Sequence, residues 1–322
     1  MTPVCLTAAR SPATEQAPSS FAAARVGPLR LIVVAEGLAW QGAVGQVLGL
    51  APAATDAPDG WGPMTLRLRL ADGADGPGHP GAPTVAPRHV WGTTPAWHAA
   101  LTVGAEAQVE ASFVFVPSFV RGLGPSEAAS RRWMVRAALR MALGVGLAAA
   151  GGLLLHGAGL LPQTGRALAF LGPSGAGKST MARRVPDAVV LADDVVAVWP
   201  DAGGWWVSGT PLRGREGAPT LLEGHPLAGI VALRPHAEHL ALATMSTSEG
   251  LGEVMRRTCL DADPAVPPAV VARVLDAAAA LSDAVPAFTL ASSLHHAVAP
   301  AIAAACAGQP WSGAPLAEGL HV

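Results

Sequence analysis

The sequence predicts an α/β fold, with a P-loop core in its second half behind a small β-rich N-terminal domain. Three observations carry this. Gly172, Gly177, Lys178 and Ser179 complete the spacing G-x-x-x-x-G-K-[ST] between an apolar strand and a short helical segment. From residue 151 onward, apolar runs of strand length alternate with segments of helical periodicity. In the first half, strand-like runs are separated by loops rich in Gly, Pro and Asp.

The elements follow in chain order. Residues 1–27, rich in Ala, Pro and Ser, read as a flexible tail. Residues 28–124 form the β-rich domain. In it "LRLIVVAEGLAW" (29–40), "MTLRLRLAD" (64–72) and "AQVEASFVFVP" (107–117) read as strands. His79, His89 and His98 are scattered through it and suggest no site. Residues 125–151 read as a long helix that opens the core domain, residues 125–322. Pro125 suits a first helical position, Glu127 faces the positive helix end, and Arg131, Arg132, Arg136 and Arg140 are expected on a solvated face. "GLLLHGAGL" and "RALAFLG" then read as strands, "GKSTMARRV" as a helix and "DAVVLADD" as a strand. "GWWVSGT", "GIVALRP" and "HLALATM" are further strands. "SEGLGEVMRRTCL" is a helix with Ser246 and Glu249 in capping-box spacing. A helix at "PPAVVARVLDAAAALSDAV", a strand at "VPAFTL" and a helix at "HHAVAPAIAAACAG" complete the chain.

Composition narrows the function. A formal net charge of −2 over 322 residues gives no basic field to recruit nucleic acid. Cys5, Cys259 and Cys306 are far apart and make neither a disulfide framework nor a metal-ligand spacing, which fits a reducing cytoplasm. No basic start followed by an apolar core marks a secretory leader. Residues 141–161 are apolar enough to resemble a membrane span, but Gly151-Gly152 divides them and His156 interrupts them. A helix followed by a core strand is expected there, and no membrane partner. Lys178 is the only Lys, and every other basic side chain is Arg. A compact ammonium is therefore kept at one position against a background of guanidinium.

That position explains itself chemically. Glycines let the loop curl so that successive N–H groups point at phosphate oxygens. The binding set is Gly172, Ser174, Gly175, Ala176, Gly177, Lys178, Ser179 and Thr180. The helix that starts near Gly177 adds its positive end. Lys178 is expected to bridge the β- and γ-phosphates of ATP, and the Ser179 hydroxyl to ligate Mg²⁺. A crossover from the loop through a short helix should return the next strand beside the first, bringing Asp193 and Asp194 to the phosphates. One carboxylate there suits the metal and a second suits base chemistry. Neighbouring residues on an extended strand point to opposite sides, so both face the site only if the strand breaks at Ala192. Otherwise one of the two is a solvated strand end.

His156 on "LLLHGAG", then "GPSGAGKST" and "LADDVVAV" in that order, resemble the HPr kinase/phosphorylase superfamily, which includes the phosphoenolpyruvate carboxykinases. The likeness runs from His156 to about Gly214 and fades through Leu290. It implies a phosphoenolpyruvate carboxykinase-like kinase core and a divergent HPr-kinase-like serine kinase. In such an enzyme Asp193 is the base, His156 assists beside the transferred group, and Asp194 with Ser179 holds Mg²⁺. The chain departs from HPr kinases at Thr180, where they usually carry Glu, and has no Asn at all. The acceptor implied is a Ser of a protein or peptide, some relatives of this kind being associated with peptide natural products. A non-catalytic ATP-binding sensor and a kinase of a small-molecule alcohol stand as alternatives, and homo-oligomerisation stays open. Arg213 and Arg215 in "GTPLRGREG" are candidates to clamp phosphate or an acidic acceptor, or else belong to a solvated turn. Arg256 and Arg257 are expected to complement a helix C-terminus.

Overall fold

The computed structural model describes residues 22–48, 64–72, 90–94, 97–103, 108–115, 125–173, 175–185, 187–212, 221–235, 237–260, 268–292 and 297–312. The N-terminal half is a six-stranded sheet in the order β1-β2-β3-β6-β5-β4. Its strands are β1 (Ala22–Val26), β2 (Leu29–Ala35), β3 (Met64–Asp72), β4 (Val90–Thr94), β5 (Trp97–Val103) and β6 (Gln108–Phe115). β2, β3 and β6 run parallel, and the outer pairs are antiparallel. The alternation in β3 does what period two requires: Leu66, Leu68 and Leu70 are all fully buried.

Three points in this half differ from the sequence reading. Residues 22–26, placed in the tail, form β1 and pair with β2. The strand expected to reach Trp40 stops at Ala35, and helix α1 (Leu38–Leu48) follows. Gly37, at φ 82°, breaks the extended chain, and Trp40, Ala43, Val44 and Val47 then bury one helical face. The hairpin of β4 and β5 was not anticipated, and it places His98 on β5. His79 and His89 lie outside the described residues.

Helix α2 (Glu127–Ala149) lies between this sheet and the core. Ser126 is its cap, accepting from Ala129 N at 3.2 Å, so Pro125 precedes the helix and does not occupy its first turn. Small residues let it approach on both sides. A Cβ on Gly146 would meet Leu29 and Leu66 side chains at 3.0 and 3.4 Å, and one on Gly144 would meet the Cys259 carbonyl at 3.0 Å. The arginine face, expected to be solvated, is only partly so. Arg131 is 11% exposed, pairs with Glu127 at 2.8 Å and stacks over Trp40 at 5.1 Å; Arg132 donates to Gln46.

The core sheet has nine strands: β7 (Leu153–Leu161), β8 (Ala167–Leu171), β9 (Val189–Ala192), β10 (Val195–Asp201), β11 (Gly204–Gly209), β12 (His225–Pro235), β13 (Ala241–Thr244), β14 (Ala287–Ser292) and β15 (Trp311–Ser312). Its order is β11-β10-β7-β8-β12-β14-β13-β15, with β9 also on β7. β11 pairs with β12 as well, closing β7, β8, β12, β11 and β10 into a ring. β8, β12 and β14 are parallel, and each expected strand and helix of this half is present, with β10 and β15 additional. The helices are α3 (Lys178–Arg183), α4 (Thr247–Arg257), α5 (Pro268–Ala284) and α6 (Ala299–Cys306). The capping box of Ser246 and Glu249 forms as read. Residues 141–161 divide at Gly151, φ 75°, into the end of α2 and β7. No helix of the described residues is long and apolar enough to cross a membrane.

Candidate functional site

The site is organised about the middle of β7. On one edge β8 ends with Leu171 opposite Gly157, and Gly172 opens the loop at once. On the other edge β9 and β10 act as one interrupted partner, with Ala192 opposite Gly159 and Val195 opposite His156. The chain bends at Asp193 and Asp194 between them, and Gly157 N donates to Asp194 O at 2.9 Å. Leu171, Gly157 and Asp194 thus share one cross-section. The return strand was expected directly beside β8. It lies one strand further out because β7, the hairpin partner of β8, already fills that edge. Two strand spacings put the loop entrance and the aspartates about 10 Å apart. The break at Ala192, required for both carboxylates to face the site, is present. Gly157 is needed for this closeness, since a Cβ there would meet the Phe170 carbonyl at 2.7 Å.

The loop itself has backbone that L side chains rarely adopt, at Gly175 (φ 81°) and Gly177 (φ 86°). Gly177 starts α3 from that left-handed conformation. Lys178 is 7% exposed, and its Nζ donates to the carbonyls of Gly172 (2.9 Å) and Pro173 (3.0 Å). The ammonium therefore spans the mouth of the loop. Burial, and after it the nearby Arg257, lower its pKa, while Asp194 opposes the shift. Ala176 is buried beneath the turn, and Ser179 and Thr180 follow in the first turn of α3. Ser174, Arg213 and Arg215 lie outside the described residues.

Asp194 gathers cations. Its Oδ2 lies 3.5 Å from Nη2 of both Arg136 and Arg140, and its Oδ1 lies 3.4 Å from Nδ1 of His156. Arg136 and Arg140, one helical turn apart on α2, thus reach into the site while about a third of each side chain stays exposed. His156 is half-buried, and its pKa is lowered by burial first and then by Lys178, against the raising effect of Asp194. Both lowering effects favour the neutral imidazole. Asp193 sits beside Asp194 in the same bend and has interactions of its own.

The end of α4 completes the ring of charge. Thr258 bridges to Leu155, and Cys259 N donates to Leu154 O at 2.7 Å. That register sets Arg257 next to His156, on the β7 edge just below the loop. Arg257 also helps lower the pKa of both His156 and Lys178. Its place is in the site, not only at a helix end. Arg256 instead joins Arg234, at the end of β12, on the buried Glu253 carboxylate at 3.1 and 2.6 Å. β12 runs parallel to β8 with Ala232 opposite Leu171, so Arg234 flanks the loop. Sequence reasoning missed Arg136, Arg140, Arg234 and Arg257. The only legible signal was the i, i+4 arginine pair on the helix preceding the His156 strand.

No group of three or more His, Cys, Asp or Glu side chains placed to hold a metal occurs among the described residues. No family model matches the chain, and no curated protein matches it.

Proposed function

We propose that the protein transfers the γ-phosphoryl group of ATP to a hydroxyl, that of a Ser in a protein or peptide. The observation that most supports this is the cross-section at Gly157, where the phosphate-loop entrance, His156 and the Asp193–Asp194 bend meet. The fold proposed is a phosphoenolpyruvate carboxykinase-like kinase core, as the motif resemblance implies. Lys178 and the loop amides hold the triphosphate. Asp193 takes the proton of the attacking hydroxyl as its oxygen bonds to the γ-phosphorus. The bond from that phosphorus to the bridging oxygen breaks, and its electron pair leaves on ADP. His156 stands beside the transferred group and assists.

Mg²⁺ fits the donor chemistry, since Asp194 and Ser179 offer hard oxygens. Both arginine contacts to Asp194 measure 3.5 Å, longer than the ~2.8 Å of a tight charge-assisted bond, so its lone pairs are not saturated. When bound, the ion neutralises charge on the β- and γ-phosphates. Calorimetry with Mg·ATP, followed by radiolabel transfer from ATP to an array of Ser-containing peptides, tests the reading. Tight nucleotide binding with labelled peptides is expected. Binding without any transfer leaves a sensor in its place, and absence of binding removes the nucleotide altogether.

A further inference from the structure

The phosphate loop uses one cation, Lys178, yet three guanidinium groups from two other helices converge beside it. Arg136 and Arg140 share a single oxygen of Asp194 at 3.5 Å each. Each guanidinium has five N–H donors in a planar fork, so one long contact uses little of that capacity. Two like charges on one carboxylate oxygen also leave positive charge uncompensated. Arg257 arrives from the opposite side of β7, fixed by the Leu155–Thr258 bridge, and its buried Nε has no hydrogen-bond partner among the described residues. With Lys178, four cationic side chains gather about Asp194 and His156, while Asp193 and Asp194 supply two carboxylates. Such a surplus beside partly buried groups attracts an oxyanion. Their positions matter: Arg136 and Arg140 lie on the aspartate side of β7, and Arg257 reaches His156 from the edge that β8 and the loop occupy, so the three bracket the space between the loop and the aspartates. Planar forks suit carboxylates and phosphates better than an ammonium does.

We infer that Arg136, Arg140 and Arg257 form a second oxyanion subsite, which takes an acidic group carried by the phosphoryl acceptor beside its Ser hydroxyl. The inference rests on the reading of the loop as the nucleotide site, and it narrows the acceptor to an acidic peptide segment. Neutralising that group next to Asp193 draws the hydroxyl toward the base, whereas a basic flank is repelled.

The test titrates inorganic phosphate, at fixed ionic strength, into protein saturated with Mg²⁺ and a non-hydrolysable ATP analogue. One phosphate should bind to the loaded wild type, and at least tenfold more weakly to Arg136→Ala/Arg140→Ala and to Arg257→Ala. Arg257→Ala lies on a different helix, so agreement of the two variants excludes a folding defect confined to α2. A Ser peptide flanked by Glu should displace the phosphate, and the same peptide flanked by Lys should not. No binding to the loaded wild type, or equal affinity in the variants, overturns the subsite. Phosphate that the Glu peptide fails to displace assigns the subsite to free phosphate and overturns the acceptor. If the analogue itself does not bind, the nucleotide reading fails separately. Phosphate binding that survives Lys178→Ala but not the arginine substitutions then still supports the second subsite, and binding lost with Lys178 overturns it.

Discussion

Lys178 is the chain's only lysine and is buried against its own loop. An ATP acyl-phosphate probe should therefore label one residue, and excess Mg·ATP should block it; labelling that persists under saturating ATP would remove Lys178 from the phosphate contacts. His156 supplies a pH test. Its pKa in the folded protein lies below the ordinary value of about 6.5. The fold resists a proton that the unfolded chain accepts, so stability is complete above that pH and falls as the pH drops through the folded value. Urea melts between pH 7.5 and 5.5 should show this fall, and His156→Gln should flatten it. An unchanged slope in the variant would put the titrating group elsewhere. The two aspartates should separate functionally. Asp193→Ala is expected to leave Mg·ATP binding near normal and lower transfer by roughly 10²–10⁴-fold. Asp194→Ala should weaken nucleotide binding as well, and swapped effects in calorimetry and radiolabel transfer would reverse the pair.

Elements position these residues through close contacts and buried pairs. β7 touches β8, β9 and β10, so its glycines set the width of the site. Gly157→Ala must push a methyl into the Phe170 carbonyl, at a cost of about 1–3 kcal/mol, visible in thermal melts. Nucleotide affinity should fall with it because the Phe170 strand leads into the loop. α4 is fixed at its start by the Ser246 cap and toward its end by Glu253. Burial opposes ionisation of Glu253, but the bonds from Arg234 and Arg256 outweigh it and hold the carboxylate ionised. Glu253→Gln leaves two guanidinium groups without a counter-charge. Because both arginines are about half exposed, the loss should reach about 3 kcal/mol at most, the low end for a broken buried pair. A variant as stable as wild type would show that α4 docks without this pair.

At the scale of the molecule, the β-rich half and the core are not separate bodies. One continuous cluster of buried side chains joins Leu31, Leu66 and Phe113 of the first sheet to Leu155, Val196 and Val207 of the second. α2 lies between, with Gly146 against one and Gly144 against the other. The turn of β1 and β2 also abuts Trp199 on β10, where a Cβ on Gly27 would sit 2.6 Å from the ring. Heating should therefore unfold the chain in one transition, and a fragment starting at residue 125 should not reproduce it. Two resolved calorimetric transitions would contradict this. The same arrangement explains why a helix packed against the N-terminal sheet can deliver arginines to a loop formed by the other half.

The sequence by itself determined the loop, its lysine, the order His156, loop, aspartates, and nearly every core strand and helix. These are local properties: glycine conformational freedom, capping chemistry and hydrophobic period act over a few residues. It did not reveal α1, because the apolar run before Gly37 continues into the helix without a change of composition. It also misplaced the return strand, since strand neighbours depend on which edge of β8 is already filled. The arginines were the largest loss. On a lone amphipathic helix, Arg136 and Arg140 belong to the polar face, and polar faces point to water. Only the packing of α2 between two sheets turns that face toward Asp194, and only the bridge of Thr258 to Leu155 brings Arg257 to the same place. Charge becomes a site when long-range contacts gather it, and those contacts are written in no single segment of the chain.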